Sequence, residues 1–271
     1  ASPDERIHHI PFPGLPDHEG LEDPAAFFDR SIQQLAEQGV GPGQVAAVFI
    51  ETFQGWGGLD FPLPYMCRLR EWADQHDVLL VFDEIQTGFG RTGRWFGFEH
   101  YGVRPDLLCI GKGLTSSLPL AAVLGRAEVV DVLEPAEVTT THAANPLSCA
   151  AALANLDVLE SENLVAEADR KGKLVAVELA RLQTRFPDHI ERVSGRGLLW
   201  AIHVRHPETG LADARAIREH TADWTWAAIC HGVMLFHTML STLKVVPPLV
   251  IPDEALVEGI AALGDALESL S

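Results

Sequence analysis

Three short runs, AAVFI at 46–50, VLLVF at 78–82 and DLLCI at 106–110, constrain the fold of this chain more than any other feature. Apart from the leading Asp106 of the third, each is continuously apolar instead of alternating, which is the pattern of a strand covered on both faces. Between the first two, Tyr65, Leu69, Trp72, Ala73 and His76 recur at helical spacing, so an amphipathic helix is predicted over 64–76. Strand, crossover helix and strand make a βαβ unit, whose strands run parallel. A fourth run, PLAAVLG at 119–125, extends the sheet, and the class is α/β.

Punctuation places the other elements. Asp23 before Pro24 is an N-cap followed by proline at the first helical position, opening a helix through AAFFDRSIQQLAEQ to Gly39. Asn145-Pro146 does the same for PLSCAAALANLDVLE, and another helix begins near Leu164. Beyond it the pattern changes: LLWAIHV at 198–204, VMLFH at 233–237 and LKVV at 243–246 alternate with helices near 213–230 and 253–269. A domain boundary is expected near residue 161, giving domains of 1–160 and 161–271.

Composition removes several function classes. With 47% hydrophobic residues in 271 the chain can bury a sizeable core. No run of about 18 apolar residues occurs and ASPDERIHHIPFPG has no leader-like character, so neither membrane insertion nor secretion is expected. A net charge of -18 without clustered Lys or Arg disfavours nucleic acid. Cys67, Cys109, Cys149 and Cys230 lack C-x-x-C spacing and read as reduced thiols of a cytoplasmic protein.

The apolar runs end in residues capable of chemistry: Glu51, Asp83 and Lys112. Ligands of open α/β sheets bind beyond the carboxyl ends of the strands, so these side chains are expected to share one crevice. Asp83 and Glu84 are neighbours on an extended segment and point to opposite faces, so only one can enter it. Taken singly, an aspartate after a strand is more often a cap or turn residue. Gly111 and Gly113 beside Lys112 permit close approach of another group. GFGRTG at 88–93 fits a dinucleotide fingerprint, with Asp106 at a plausible distance, but RWFGFEHYGVRPD after it has no helical period, so nicotinamide binding is not expected. The twelve histidines show no ligand spacing and no metal site is expected; there is also no G-x-S-x-G elbow.

FDEIQTGFGRTG, PDLLCIGKGLTSSLPLAAVLGR and TTTHAANPLSCAAALA together resemble the signature of class III aminotransferases, the pyridoxal-phosphate-dependent enzymes of fold type I that include many ω-transaminases. ETFQGWGG at 51–58 occupies the place of the family's E-P-x-x-G-E-G-G, and LKVVPPL at 243–249 that of its R-x-x-P-P-L. The resemblance implies a mostly parallel sheet in a large cofactor-binding domain, of which this chain carries the C-terminal half, and a smaller α/β C-terminal domain. It implies pyridoxal 5'-phosphate as cofactor, with Lys112 as the Schiff-base lysine and proton carrier, Asp83 facing the pyridine nitrogen, Gln86 at the ring hydroxyl and Val81 or a neighbour against the ring. Thr141 matches a threonine that reaches the phosphate of the adjacent subunit, which implies a homodimer with shared sites. Glu51 and Trp56 fall on the substrate side, the substrates being small amines and keto compounds.

Departures from the family pattern carry expectations of their own. The segment bearing the phosphate-binding Gly-Ser/Thr helix and the ring-stacking aromatic should lie before residue 1, so the chain reads as N-terminally incomplete. Ser194 replaces the arginine of V-R-G-x-G-L and Lys244 the arginine of the C-terminal motif, so a carboxylate is gripped differently from the bidentate manner of arginine. Trp56 in place of a glutamate puts an aromatic beside the pocket and makes an amine or amino sugar a more plausible substrate. Transfer of an amino group from donor to carbonyl acceptor leads; racemisation, epimerisation, aminomutation or decarboxylation on the same scaffold, or a non-catalytic fragment, are the alternatives.

Overall fold

A computed structural model describes residues 4–14, 20–134, 137 and 140–270. Its first sheet contains β1 (Ala47–Glu51), β4 (Leu79–Asp83), β5 (Leu107–Ile110) and β6 (Ala122–Gly125), in that spatial order. The first three are parallel and β6 is antiparallel at the edge. Between β1 and β4 lie the hairpin of β2 (Phe53–Gln54) and β3 (Leu59–Asp60) and the crossover helix α2 (Leu63–Gln75). Helix α2 buries Tyr65, Met66, Leu69, Trp72 and Ala73, the predicted face apart from His76, which caps its end. Helix α1 (Pro24–Glu37) lies against it, with Phe28 meeting Tyr65 and Trp72 edge-on at 5.3 and 5.9 Å. The Asp23 cap accepts from the Ala26 N–H as expected.

A short helix α3 (Ala127–Val130) follows β6, and Asn145 caps α4 (Pro146–Ser161) through the N–H groups of Leu147 and Ser148. The second sheet is antiparallel and consists of β7 (Ile190–Arg196), β8 (Leu199–Val204), β10 (Thr242–Val245) and β9 (Phe236–His237), in that order. One side packs on α5 (Leu164–Arg185), α6 (Ala214–Cys230) and α7 (Asp253–Glu268) in an apolar cluster containing Val175, Leu179, Ile202, Trp224 and Leu263. Strand β7, IERVSGR, is absent from the sequence reading because its charged and small residues hide any apolar run.

Two expectations change in detail. Strand β1 forms the edge of the first sheet among the described residues, with Phe49 61% exposed, so AAVFI is not covered on both faces here. GFGRTG opens no helix; it is the joint between the two sheets. Arg91 donates to the carbonyls of Leu198 at 3.1 Å and Pro247 at 2.6 Å and accepts from the Leu198 N–H. Gly93 lies against Asp169, and Gly197, at φ +54°, against the backbone of Thr92 and Gly93, contacts that leave no room for a side chain. Asp106 is structural as well: it accepts from the Leu80 N–H and pairs with Arg70 and Arg126, each at 2.9 Å.

Candidate active site

Parallel pairing lines up the predicted residues. Glu51 at the end of β1 stands opposite Asp83 at the end of β4, and Asp83 stands opposite Cys109 on β5. Lys112 follows in a single 3₁₀ turn with φ +37°, a left-handed conformation that a residue with a side chain adopts only when its surroundings impose it. Helix α4 supplies part of that constraint: Asn155 donates to the Gly113 carbonyl at 2.8 Å and accepts from the Ser116 hydroxyl at 2.9 Å. Lys112 itself is exposed, and its ammonium has no hydrogen-bond partner among the described residues.

Asp83 and Glu84 diverge as alternation requires. Asp83 Oδ1 accepts from the Ile85 N–H at 2.9 Å, and its other oxygen is unoccupied by any described group. Glu84 is fully buried and accepts from the Thr52 hydroxyl at 3.0 Å, from the N–H groups of Gly97 and Phe98 at 2.7 Å each, and from Thr87. Burial pushes its carboxyl above the ordinary range although all four donors favour the anion. Glu84 thereby fixes the turn that carries Asp83 and Gln86. Gln86 rests against the backbone of Gly55, whose N–H donates to Glu51 at 2.9 Å.

Electrostatics tie the group together. Burial raises the Glu51 carboxyl, the Gly55 N–H opposes this, the Asp83 charge adds to it, and the charges of Lys112 and Lys244 oppose it. Lys244 is only 2% exposed, its ammonium has no partner among the described residues, and it lies 5.7 Å from the centre of the Phe53 ring. Burial pushes it down to about 8, against the pull of Glu51. Lys112 and Gln86 also line a cavity of about 810 Å³ with Arg91, Thr115 and Leu249 on its walls. Asp83, Glu51 and Trp56 lie outside that lining, so the cavity is one flank of the site. Trp56 is at the tip of the β2–β3 turn and 61% exposed. Thr141 is exposed in the turn before α4, with no side-chain hydrogen bond among the described residues.

An unpaired carboxylate and an unpaired amine at neighbouring strand ends, beside an amide and a cavity of ligand size, are a donor set that fits pyridoxal phosphate: the carboxylate suits a protonated ring nitrogen and the amine suits an aldehyde. Sequence reasoning did not find Ser194 and His203 as partners, nor Arg91 as a wall of the cavity. Only the strand pairing of β7 with β8 brings the first two together. Among the described residues no group of three His, Cys, Asp or Glu is arranged to hold a metal ion.

The family model for class III aminotransferases matches residues 5–267. The chain belongs to that family. The cofactor of the family is pyridoxal 5'-phosphate. The chain is similar to a 4-aminobutyrate aminotransferase of Mycobacterium leprae, 38% identical over 241 residues that make up 88% of this chain and 53% of the relative. It is also similar to an acetylornithine aminotransferase of Synechocystis sp., 35% identical over 89% of this chain and 54% of the relative. Among solved structures, an S-selective transaminase from Bacillus megaterium superposes with a TM-score of 0.88 at 31% identity, covering 99% of this chain and 61% of that one. The α/β architecture is thus that of fold type I transaminases, and the chain spans about half the length of the curated relatives it matches.

Proposed function

We propose that the protein is an aminotransferase that moves an amino group between a small amine donor and a carbonyl acceptor with pyridoxal 5'-phosphate. The observation that carries this reading is the unpaired Asp83 and Lys112 at neighbouring strand ends, in one electrostatic environment with Glu51. When bound, the cofactor supplies an electron sink for the substrate carbon. Asp83 would keep a proton on the ring nitrogen, Gln86 would donate to the ring hydroxyl, and Lys112 Nζ would be the amine that holds the aldehyde and would carry a proton to and from the substrate carbon. Glu51 and Trp56 bound the substrate side, and Lys244 places a compact positive charge there that suits a carboxylate.

Residues 1–160 contribute part of the cofactor-binding domain and 161–271 form the smaller one. The assembly is a cytoplasmic homodimer, in which Thr141 reaches the cofactor phosphate of the other subunit. Its exposure supports this, as do the exposed Leu147 and Leu153 on α4. No helix among the described residues is long and apolar enough to cross a membrane.

The test is an absorption spectrum of the full-length protein with added pyridoxal phosphate. A visible band that amino donors bleach and a keto acid restores is the expected result. A band that donors leave untouched replaces transamination by racemisation or decarboxylation. In Lys112→Ala the band should be absent after dialysis, and its persistence would remove Lys112 from the covalent role.

A further inference from the structure

On the side of the second sheet that faces the β2–β3 hairpin, Ser194, Ala201 and Lys244 lie in line across β7, β8 and β10. Gly58 sits directly over Ala201, so closely that a side chain on Gly58 would overlap the methyl group of Ala201 and lie 3.3 Å from Lys244 Nζ. Its φ of +64° also suits glycine. The backbone of Gly58 is therefore flanked by a hydroxyl on one side and by an ammonium on the other. The Gly58 carbonyl is taken by the hydroxyl: Ser194 Oγ donates to it at 2.5 Å, and His203 Nε2 lies 2.8 Å from Ser194 Oγ. Because the serine proton is committed to Gly58, the imidazole is the donor in the second bond. Burial and the neighbouring charges of Arg192 and Lys244 keep that imidazole neutral, with its pKa pushed down to about 3. The result is a one-way chain from His203 through Ser194 to the Gly58 carbonyl, while Lys244, on the opposite side of the same glycine, has no partner among the described residues.

A buried ammonium next to a free carbonyl would take it, since an unpaired buried charge is costly. We propose that Ser194 and His203 are specificity-determining positioning residues, which hold the Gly58 carbonyl away from Lys244 and so keep its ammonium available to the carboxylate of a substrate. The inference rests on the aminotransferase reading for its substrate half and on geometry alone for the other half. It also accounts for a serine between Arg192 and Arg196, at the position where family members carry arginine: a guanidinium there is not needed to bind the ligand if a hydroxyl frees the lysine.

Two readouts of Ser194→Ala decide it. In a crystal structure of the variant, the Gly58 carbonyl should turn to hydrogen-bond Lys244 Nζ; a carbonyl left in place with Nζ unpartnered overturns the proposal whatever the activity. In the full-length protein with cofactor, KM for 4-aminobutyrate should rise about tenfold, the loss of one hydrogen bond to a charged group. KM for n-butylamine, which has no carboxylate, and kcat for both donors should stay within about twofold. Ser194→Thr, which keeps the hydroxyl, should restore KM. An equal rise for both donors reduces the pair to a structural role and overturns the proposal. Should Ser194→Ala fail to fold, Ser194→Cys, whose thiol is only a weak donor to the Gly58 carbonyl, carries the same comparison. If the wild type transfers from neither donor while its cofactor band forms, the aminotransferase reading fails by itself, and the position of the Gly58 carbonyl still decides the geometric half.

Discussion

Lys244 shows most directly what an unpaired buried charge costs a fold. Its ammonium is buried over Phe53 without a hydrogen bond among the described residues, and its pKa falls from 10.5 to about 8. That shift corresponds to about 3 kcal/mol lost on folding with the charge on. The folded group releases its proton about pH 8 while the unfolded chain still holds its own to 10.5, so the penalty is complete below pH 8 and is relieved as pH rises towards 10.5. Lys244→Met should therefore stabilise the unliganded protein by about 2–3 kcal/mol at neutral pH, with an advantage that shrinks above pH 8. Denaturant unfolding at pH 7 and 10 checks this, and equal stability of the two proteins at pH 7 would mean that the ammonium is solvated or paired. Sequence reading singled out Lys244 by its place in LKVVPPL, but only burial reveals it as a lone cation. The places of Asp83 and Lys112 at the ends of apolar runs were legible; the contact of Ser194 with His203 was not, because nothing local marks a serine and a histidine nine residues apart as partners.

At the scale of elements, the helices were read accurately, since caps and periodicity are local signals. Asp23 and Asn145 each cap the helix that a proline then opens. The second sheet was read less well, because β7 holds its place through pairing with β8 and not through a pattern of its own. Where β7 begins, His189 Nδ1 lies 2.9 Å from Nε2 of His220 on α6, and the His206 ring stands 5.6 Å from that of His220. Burial pushes His220 down to about 4, helped by the charges of His189 and His206 and opposed by Asp223. Burial also lowers His189. A depressed histidine pKa means that the unfolded chain takes up the proton first, so stability falls as pH drops from about 6.5 towards 4. His220→Gln should flatten that fall in thermal unfolding between pH 7 and 4.5, and an unchanged slope would remove the pair from acid sensitivity.

Over the whole molecule, two apolar clusters are joined through the GFGRTG turn, with Leu249 packed against both. Arg91 anchors the joint using carbonyl acceptors alone, and burial pushes its pKa down to about 10. Arg91→Met would strip the Leu198 and Pro247 carbonyls of their donor, and we expect a loss of about 2 kcal/mol together with a broader or split calorimetric transition. A single sharp transition at unchanged temperature would show that packing alone couples the two sheets. Because Arg91 and Leu249 also line the cavity beside Lys112, the joint sets the shape of that flank.

The sequence by itself determined the α/β class, the order of nearly all helices and long strands, the family and the residues at the strand ends, because period, caps and motif spacing act over a few residues. Tertiary structure decided which polar groups have partners. Glu84 finds four donors, Lys244 finds none among the described residues, Ser194 meets His203 across a strand pair, and Gly90 and Gly93 of GFGRTG lie against Val165 and Asp169 of helix α5, far away in the chain. The physical reason is that burial and pairing depend on what arrives from distant segments, and no local pattern of residues records that arrival.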